Sequence, residues 1–193
     1  MARKSVKTQR SKEILDAFER CISKWGLDGA SLERIATESG IKRPALRHFI
    51  GNRDELIVAL VKSMVGEYKF IQSSMTKILR KADRGPDEMI SMLLFQSDLT
   101  SPKRILVLMN LYAAAPRYPK VQKELRAWYR NYVNWVANRL LEFKPKADKE
   151  LVKTVAAGLI GIAFNYASLA PLNLDDSHQE KAVEACRTLI RLL

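Results

Sequence analysis

Residues 31–56 read SLERIATESGIKRPALRHFIGNRDEL, and the architecture is worked outward from them. Ser31 precedes a short run in which Leu32, Ile35 and Ala36 fall on one helical face, so a helix over about 31–38 with Ser31 as its N-cap is expected. Gly40 then permits a tight turn. A second short helix is expected over about 42–50, with Pro44 in its first turn, where a missing N–H costs little. Asn52 and Glu55 have the spacing of a capping box, in which each side chain satisfies the other's backbone amide. They open a long helix over about 53–80, roughly 40 Å at 1.5 Å per residue. Two short helices joined by a glycine turn make a helix-turn-helix. In its second helix Ile41, Leu46 and Ile50 pack inward, which leaves Lys42, Arg43, Arg47 and His48 pointing away from the domain. That pattern suits a recognition helix: apolar side chains hold it, and forked cationic donors face base edges and phosphates. An ordinary helix with a solvated basic face has the same pattern.

On the N-terminal side, Ile14, Leu15, Phe18, Ile22 and Trp25 give one apolar face to a helix over about 9–25, which Gly26 stops. Residues 1–12 carry Arg3, Lys4, Lys7, Arg10 and Lys12 and no acid, as an arm along phosphates or a solvated tail would. On the C-terminal side the pattern stays helical, with further helices expected near 86–98, 102–115, 119–143, from Asp148 to about 169, and from Asp175 or Asp176 to Leu193. The fold class is therefore all-α, with about nine helices. An N-terminal three-helix DNA-binding domain over 1–55 is followed by a larger helical domain over 56–193.

Composition agrees without deciding. The 193 residues carry 33 Lys and Arg against 21 Asp and Glu, a net charge of +12 that favours a polyanionic partner. Cys21 and Cys186 show no metal spacing or disulfide framework, the N-terminus has no apolar stretch behind its charges, and a cytoplasmic protein is expected. The apolar segment 151–172 contains Lys153, Asn165 and two glycines and reads as a buried helix, with no membrane partner expected. The two histidines, His48 and His178, stand near no nucleophile or ligand cluster. Neither a phosphate loop nor a Cys-x-x-Cys or His-Glu-x-x-His motif occurs, so neither an enzyme nor a cofactor is expected. The rival reading is a helical interaction protein that binds another protein or an anionic membrane surface instead of DNA.

Residues 10–60 resemble the TetR family of transcriptional regulators, without gaps, through Ser31, Ile35, Ala36, Ser39, Gly40, Ile41, Asn52, Arg53 and Leu56. The resemblance implies that Lys42, Arg43, Ala45, Arg47 and His48 touch bases or phosphates, and that Ser31 and Arg53 meet backbone phosphate, with Asn52 beside them. Arg47 stands where the family commonly has Tyr, and Phe49 where it has His, which implies a different operator. The resemblance further implies that the C-terminal part holds a pocket for a small, largely apolar effector, and that its last two helices pair with those of a second subunit. The protein would then act as a homodimer on double-stranded, palindromic operator DNA, most readily as a repressor. Pocket residues would come from Met64, Tyr68, Met89 and Leu93, from Met109 and Tyr112, from Trp128, Tyr132 and Trp135, and from Phe164 and Asn165. Dimer contacts would come from the small residues Ala157, Gly158 and Gly161 and from Ala182, Cys186 and Leu189. Plain core packing within one subunit accounts for the same two sets of residues.

Overall fold

A computed structural model describes residues 2–81, 85–95 and 101–193, and of residues 2–7 and 81 the backbone alone. Among the described residues there are nine α-helices and no strand. They are α1 (Ala2–Gly29), α2 (Leu32–Ser39), α3 (Arg43–Ile50), α4 (Arg53–Lys81), α5 (Pro86–Leu94), α6 (Pro102–Ala114), α7 (Pro119–Phe143), α8 (Lys149–Ser168) and α9 (Asp176–Arg191). Short 3-10 turns, Ala115–Arg117 and Ala170–Leu172, follow α6 and α8.

Helix ends were the most legible feature. Asp148 caps α8, its carboxylate accepting the N–H of Glu150 at 3.1 Å and of Leu151 at 2.8 Å. Asp175 precedes α9, and its carboxylate accepts the Ser177 hydroxyl at 2.6 Å. That bond holds the Asp175 carboxyl below the usual range. Helix α1 departs from expectation at its start. It begins at Ala2, so the basic N-terminus is helical, and at Gly26 (φ 71°, ψ 171°), where a stop is expected, non-helical backbone interrupts it before a last turn that runs to Gly29.

The helices gather into two compact units whose division falls inside α4, α6 and α7. One comprises the residues through Glu67 with Leu106–Arg126, the other Tyr68–Ile105 with Ala127–Leu193. In the first, α1 packs on α2 and α3, and α2 on α3. Its interior includes Ile14, Ala17, Phe18, Cys21 and Ile22 from α1, Ile35 from α2 and Leu46 from α3. Glu38 of α2 ties the packing from outside, meeting Arg20 at 2.7 Å and Lys24 at 3.2 Å on α1. Trp25 does not share the apolar face assigned to it. It is 43% exposed, with the Arg34 guanidinium 4.9 Å above its ring. An indole can lie outside when a cation covers its face.

In the second unit α8 packs on α9, and α5 packs on both. Their shared core holds Met89, Ile90 and Leu93 of α5, Val136 and Leu140 of α7, Val155, Leu159 and Ala163 of α8, and Ala182, Cys186 and Ile190 of α9. Helix α8 is apolar and long enough to cross a membrane by composition, yet Val152, Val155, Ala156, Leu159, Ile160 and Ala163 are buried in this core, and Ala167 is buried as well.

Candidate nucleic-acid interface

The turn between α2 and α3 is built locally. Ser31 Oγ accepts the Arg34 N–H at 3.3 Å and caps α2. Gly40, at φ 66°, ends α2 in the left-handed region, and Ser39 Oγ accepts the Ile41 N–H at 3.3 Å. Pro44 lies in the first turn of α3, preceded by Lys42 at the N-cap position. Ile41 and Leu46 are buried, and Ala45, Phe49 and Ile50 are half-buried. Lys42, Arg43, Arg47 and His48 are all exposed, so α3 presents the basic face read from its periodicity. Phe49 is held edge-on to the His48 ring, with centroids 5.4 Å apart. Arg43 already has a partner, its Nη1 lying 2.6 Å from a carboxylate oxygen of Glu33 on α2.

The capping box after α3 forms as its spacing requires. The Asn52 N–H donates to the Glu55 carboxylate at 2.8 Å, and the Glu55 N–H donates to Asn52 Oδ1 at 2.9 Å. Arg53, expected to meet phosphate, is turned to other use. Its guanidinium donates to the carbonyl of Ala30 at 2.7 Å and to that of Leu27, across the corner that joins α1 to α2. Two more side chains hold that corner. Asn110 of α6 accepts the Leu27 N–H at 3.0 Å, and Arg117 lies 3.2 Å from Asp28. The sequence carried no signal for Asn110, because its bond spans 83 positions and leaves no periodic trace. Arg3, Lys4 and Lys7 lie on the first turns of α1, and their side chains fall outside the described residues.

Of the residues expected at an effector site, four form one continuous aromatic stack in the second unit. Tyr68 stacks on Trp128 at 5.0 Å, Trp128 on Tyr132 at 5.8 Å, and Tyr132 on Trp135 at 6.1 Å. Trp135 Nε1 donates to the Thr76 hydroxyl at 2.9 Å. The Trp128 N–H is buried, with no acceptor in reach among the described residues. Met89 and Leu93 belong to the core beside α8 and α9. Phe164 is half-buried and Asn165 exposed. Met64, Met109 and Tyr112 belong to the first unit, where Met64 is buried while Met109 and Tyr112 are exposed. The first unit also has a cleft of about 560 Å³, lined by Asn52, by Asp54, Glu55, Val58 and Lys62 of α4 and by Arg117, Tyr118 and Lys120 near the start of α7. Except for Asn52, expected at DNA, none of these residues was expected at a binding site.

Of the residues read as dimer contacts, Ala182 and Cys186 are instead used within the chain, buried in its core. Leu189 and Gly158 serve the intrachain packing of α8 on α9: a Cβ at position 158 would lie 2.8 Å from Leu189 Cδ1. The inward stripe of α9 is apolar because it meets α8 and α5 of its own subunit. Ala157 is half-buried and Gly161 exposed.

The family model described as "Tetracyclin repressor-like, C-terminal domain" matches residues 79–192. The HTH-type transcriptional regulator BetI of Rhizobium meliloti is 24% identical over 182 residues, which cover 92% of this chain and 88% of that protein. The HTH-type transcriptional regulator PksA of Bacillus subtilis is 25% identical over 91% of this chain and 86% of its own. Among solved structures, a TetR-family regulator from Mesorhizobium loti superposes with a TM-score of 0.76 at 18% identity, covering 96% of this chain and 95% of that one.

Proposed function

The chain belongs to the TetR family of helix-turn-helix transcriptional regulators, and from that premise we propose that it is a repressor that binds a palindromic operator as a homodimer and is released by a small, largely apolar effector. The observation that carries this reading is the outer face of α3, where Lys42, Arg43, Arg47 and His48 are all exposed above buried Ile41 and Leu46. A short helix anchored by its apolar side and cationic on the other fits the major groove, with Arg suited to guanine O6 and N7. Ala45 and the Ser31 and Asn52 caps flank that face. The basic start of α1, with Arg3, Lys4 and Lys7, adds sequence-independent attraction to phosphate.

A single helix-turn-helix contacts little DNA, and a two-fold dimer on half-sites roughly 34–36 Å apart, or a multiple, supplies the rest. The unfilled faces of α8 and α9 support such a dimer. The most apolar window of α8 has mean hydropathy 1.6, with 33% of it buried within the chain. Leu151, Thr154, Gly161 and Asn165 follow one another along its exposed side, and Ala185 and Thr188, with Leu192 just past the helix end, do so on α9. A second copy covers such surface by close helix approach.

The effector reading rests on the stack from Tyr68 to Trp135 and on the buried Trp128 N–H, which an apolar molecule carrying one acceptor would satisfy. Release follows by linkage: an effector weakens operator binding by its differential affinity for the two states, and by no more. The site of action is the cytoplasm, where the DNA lies. Selection of bound duplexes from random DNA by the purified protein tests this reading. Inverted repeats with one fixed half-site spacing are expected. Recovery of no enriched sequence, together with binding to anionic vesicles, would overturn it in favour of a surface-binding protein.

A further inference from the structure

Glu33 stands in the first turn of α2, two residues beyond the Ser31 cap, on the side that α3 shares. Its carboxylate meets Arg43 Nη1 at 2.6 Å, and the two side chains are 60% and 53% exposed. An acid there is electrostatically adverse, because this face must approach phosphates. It also occupies the positive end of α2, where a phosphate would otherwise be welcome. The ion pair itself contributes little to stability, since both side chains are exposed. Its own backbone amide and the Ser31 hydroxyl, with Arg43 behind them, hold the Glu33 carboxyl below the usual carboxylate range, so it stays charged beside DNA.

We propose that Glu33 is a specificity-determining residue that holds Arg43 as a reader of one base and prevents it from serving as a general phosphate contact. The geometry supports this division of labour. Glu33 takes Nη1 of the guanidinium, and the fork still has donors for a bidentate contact along its remaining edge. The pair is close to neutral, so Arg43 gains little from phosphate placed anywhere along the duplex. It gains fully where two acceptors on one base complete the fork. On a wrong base the arginine is unmet and the carboxylate remains near phosphate, so the pair rejects as well as selects. The inference rests on the operator-binding reading above and names a positioning role within it.

The test uses the full chain, the operator duplex recovered by selection and a random-sequence duplex of equal length, with binding followed by fluorescence anisotropy across a potassium chloride series. Glu33→Gln is expected to bind the random duplex about fivefold tighter, with a salt slope steeper by about 0.9 per reading head. Its preference for the operator should fall about tenfold. Glu33→Asp keeps the charge and shortens the reach, and should lose preference without gaining affinity. In an Arg43→Ala background, Glu33→Gln should strengthen both duplexes by the same factor and leave their ratio unmoved. If Glu33→Gln strengthens both duplexes equally in the parent background, Glu33 is surface charge alone and the inference fails while operator binding stands. A parent protein with no preference between the duplexes overturns the operator reading, and the inference with it.

Discussion

Replacement of Arg53 separates two physical accounts of one side chain. The guanidinium donates to the carbonyls of Leu27 and Ala30 at the corner where α1 turns into α2, and the Leu27 carbonyl also accepts the Ala30 N–H at 3.3 Å. A hydrogen bond from a charged donor contributes about 1.5–3 kcal/mol, so two set an upper bound of about 3–6 kcal/mol. Arg53 is half-buried, and the freed carbonyls regain some water, so the expected loss for Arg53→Ala is about 2–3 kcal/mol. In a chain of this size that corresponds to a fall in Tm of about 5–10 °C. Arg53→Lys keeps the charge but has no fork to reach both carbonyls, and should lose about half as much. Calorimetric or circular-dichroism melts measure this directly. The same variants, titrated against operator at several salt concentrations, measure any bond from Arg53 to phosphate, because each phosphate left without its cation lowers the salt slope by about 0.9. The expectation is a lower Tm for both variants with the slope unchanged. An unchanged Tm for Arg53→Ala, with a slope reduced by about 0.9 per head and restored by Lys, would refute the clamp and return Arg53 to the DNA.

Three further outcomes follow from the same structure. Asn110→Ala removes the acceptor of the Leu27 N–H, and a thermal melt should show a loss of about 1 kcal/mol, with Asn110→Asp retaining most of the stability. Gly40 has open space around its Cβ position but lies at φ 66°, so Gly40→Ala should cost about 1 kcal/mol through backbone strain alone and Gly40→Asn less, both read by chemical denaturation. The Cys186 thiol is pushed up by burial to about 11, from an ordinary value near 9. Its folded pKa is raised, so its contribution to stability is complete below pH 9 and is lost as pH rises towards 11. At pH 8 a thiol reagent should label Cys186 only after denaturation, and rapid labelling of the native protein would contradict its burial.

What the sequence by itself determined lies within four or five residues along the chain. The Ser31 cap, the Gly40 stop, Pro44 in the first turn of α3, the Asn52–Glu55 box and the Asp148 cap each pair groups that are neighbours in sequence, so residue type and spacing are enough to specify them. The inward and outward faces of α3 were legible for the same reason, since a period of 3.6 is a local property. Tertiary structure decided which distant groups meet. Arg53 finds carbonyls 23 and 26 residues away, Asn110 finds an amide 83 away, and Glu33 finds Arg43 only because α2 and α3 are packed side by side. Periodicity showed that α9 had an apolar stripe. That Ala182 and Cys186 turn it towards α5 and α8 of the same subunit depends on how those helices pack, and an apolar residue is equally suited to a core and to an interface. Aromatic residues were visible one by one on α4 and α7, but their union into a single stack from Tyr68 to Trp135 exists only once α7 lies against α4.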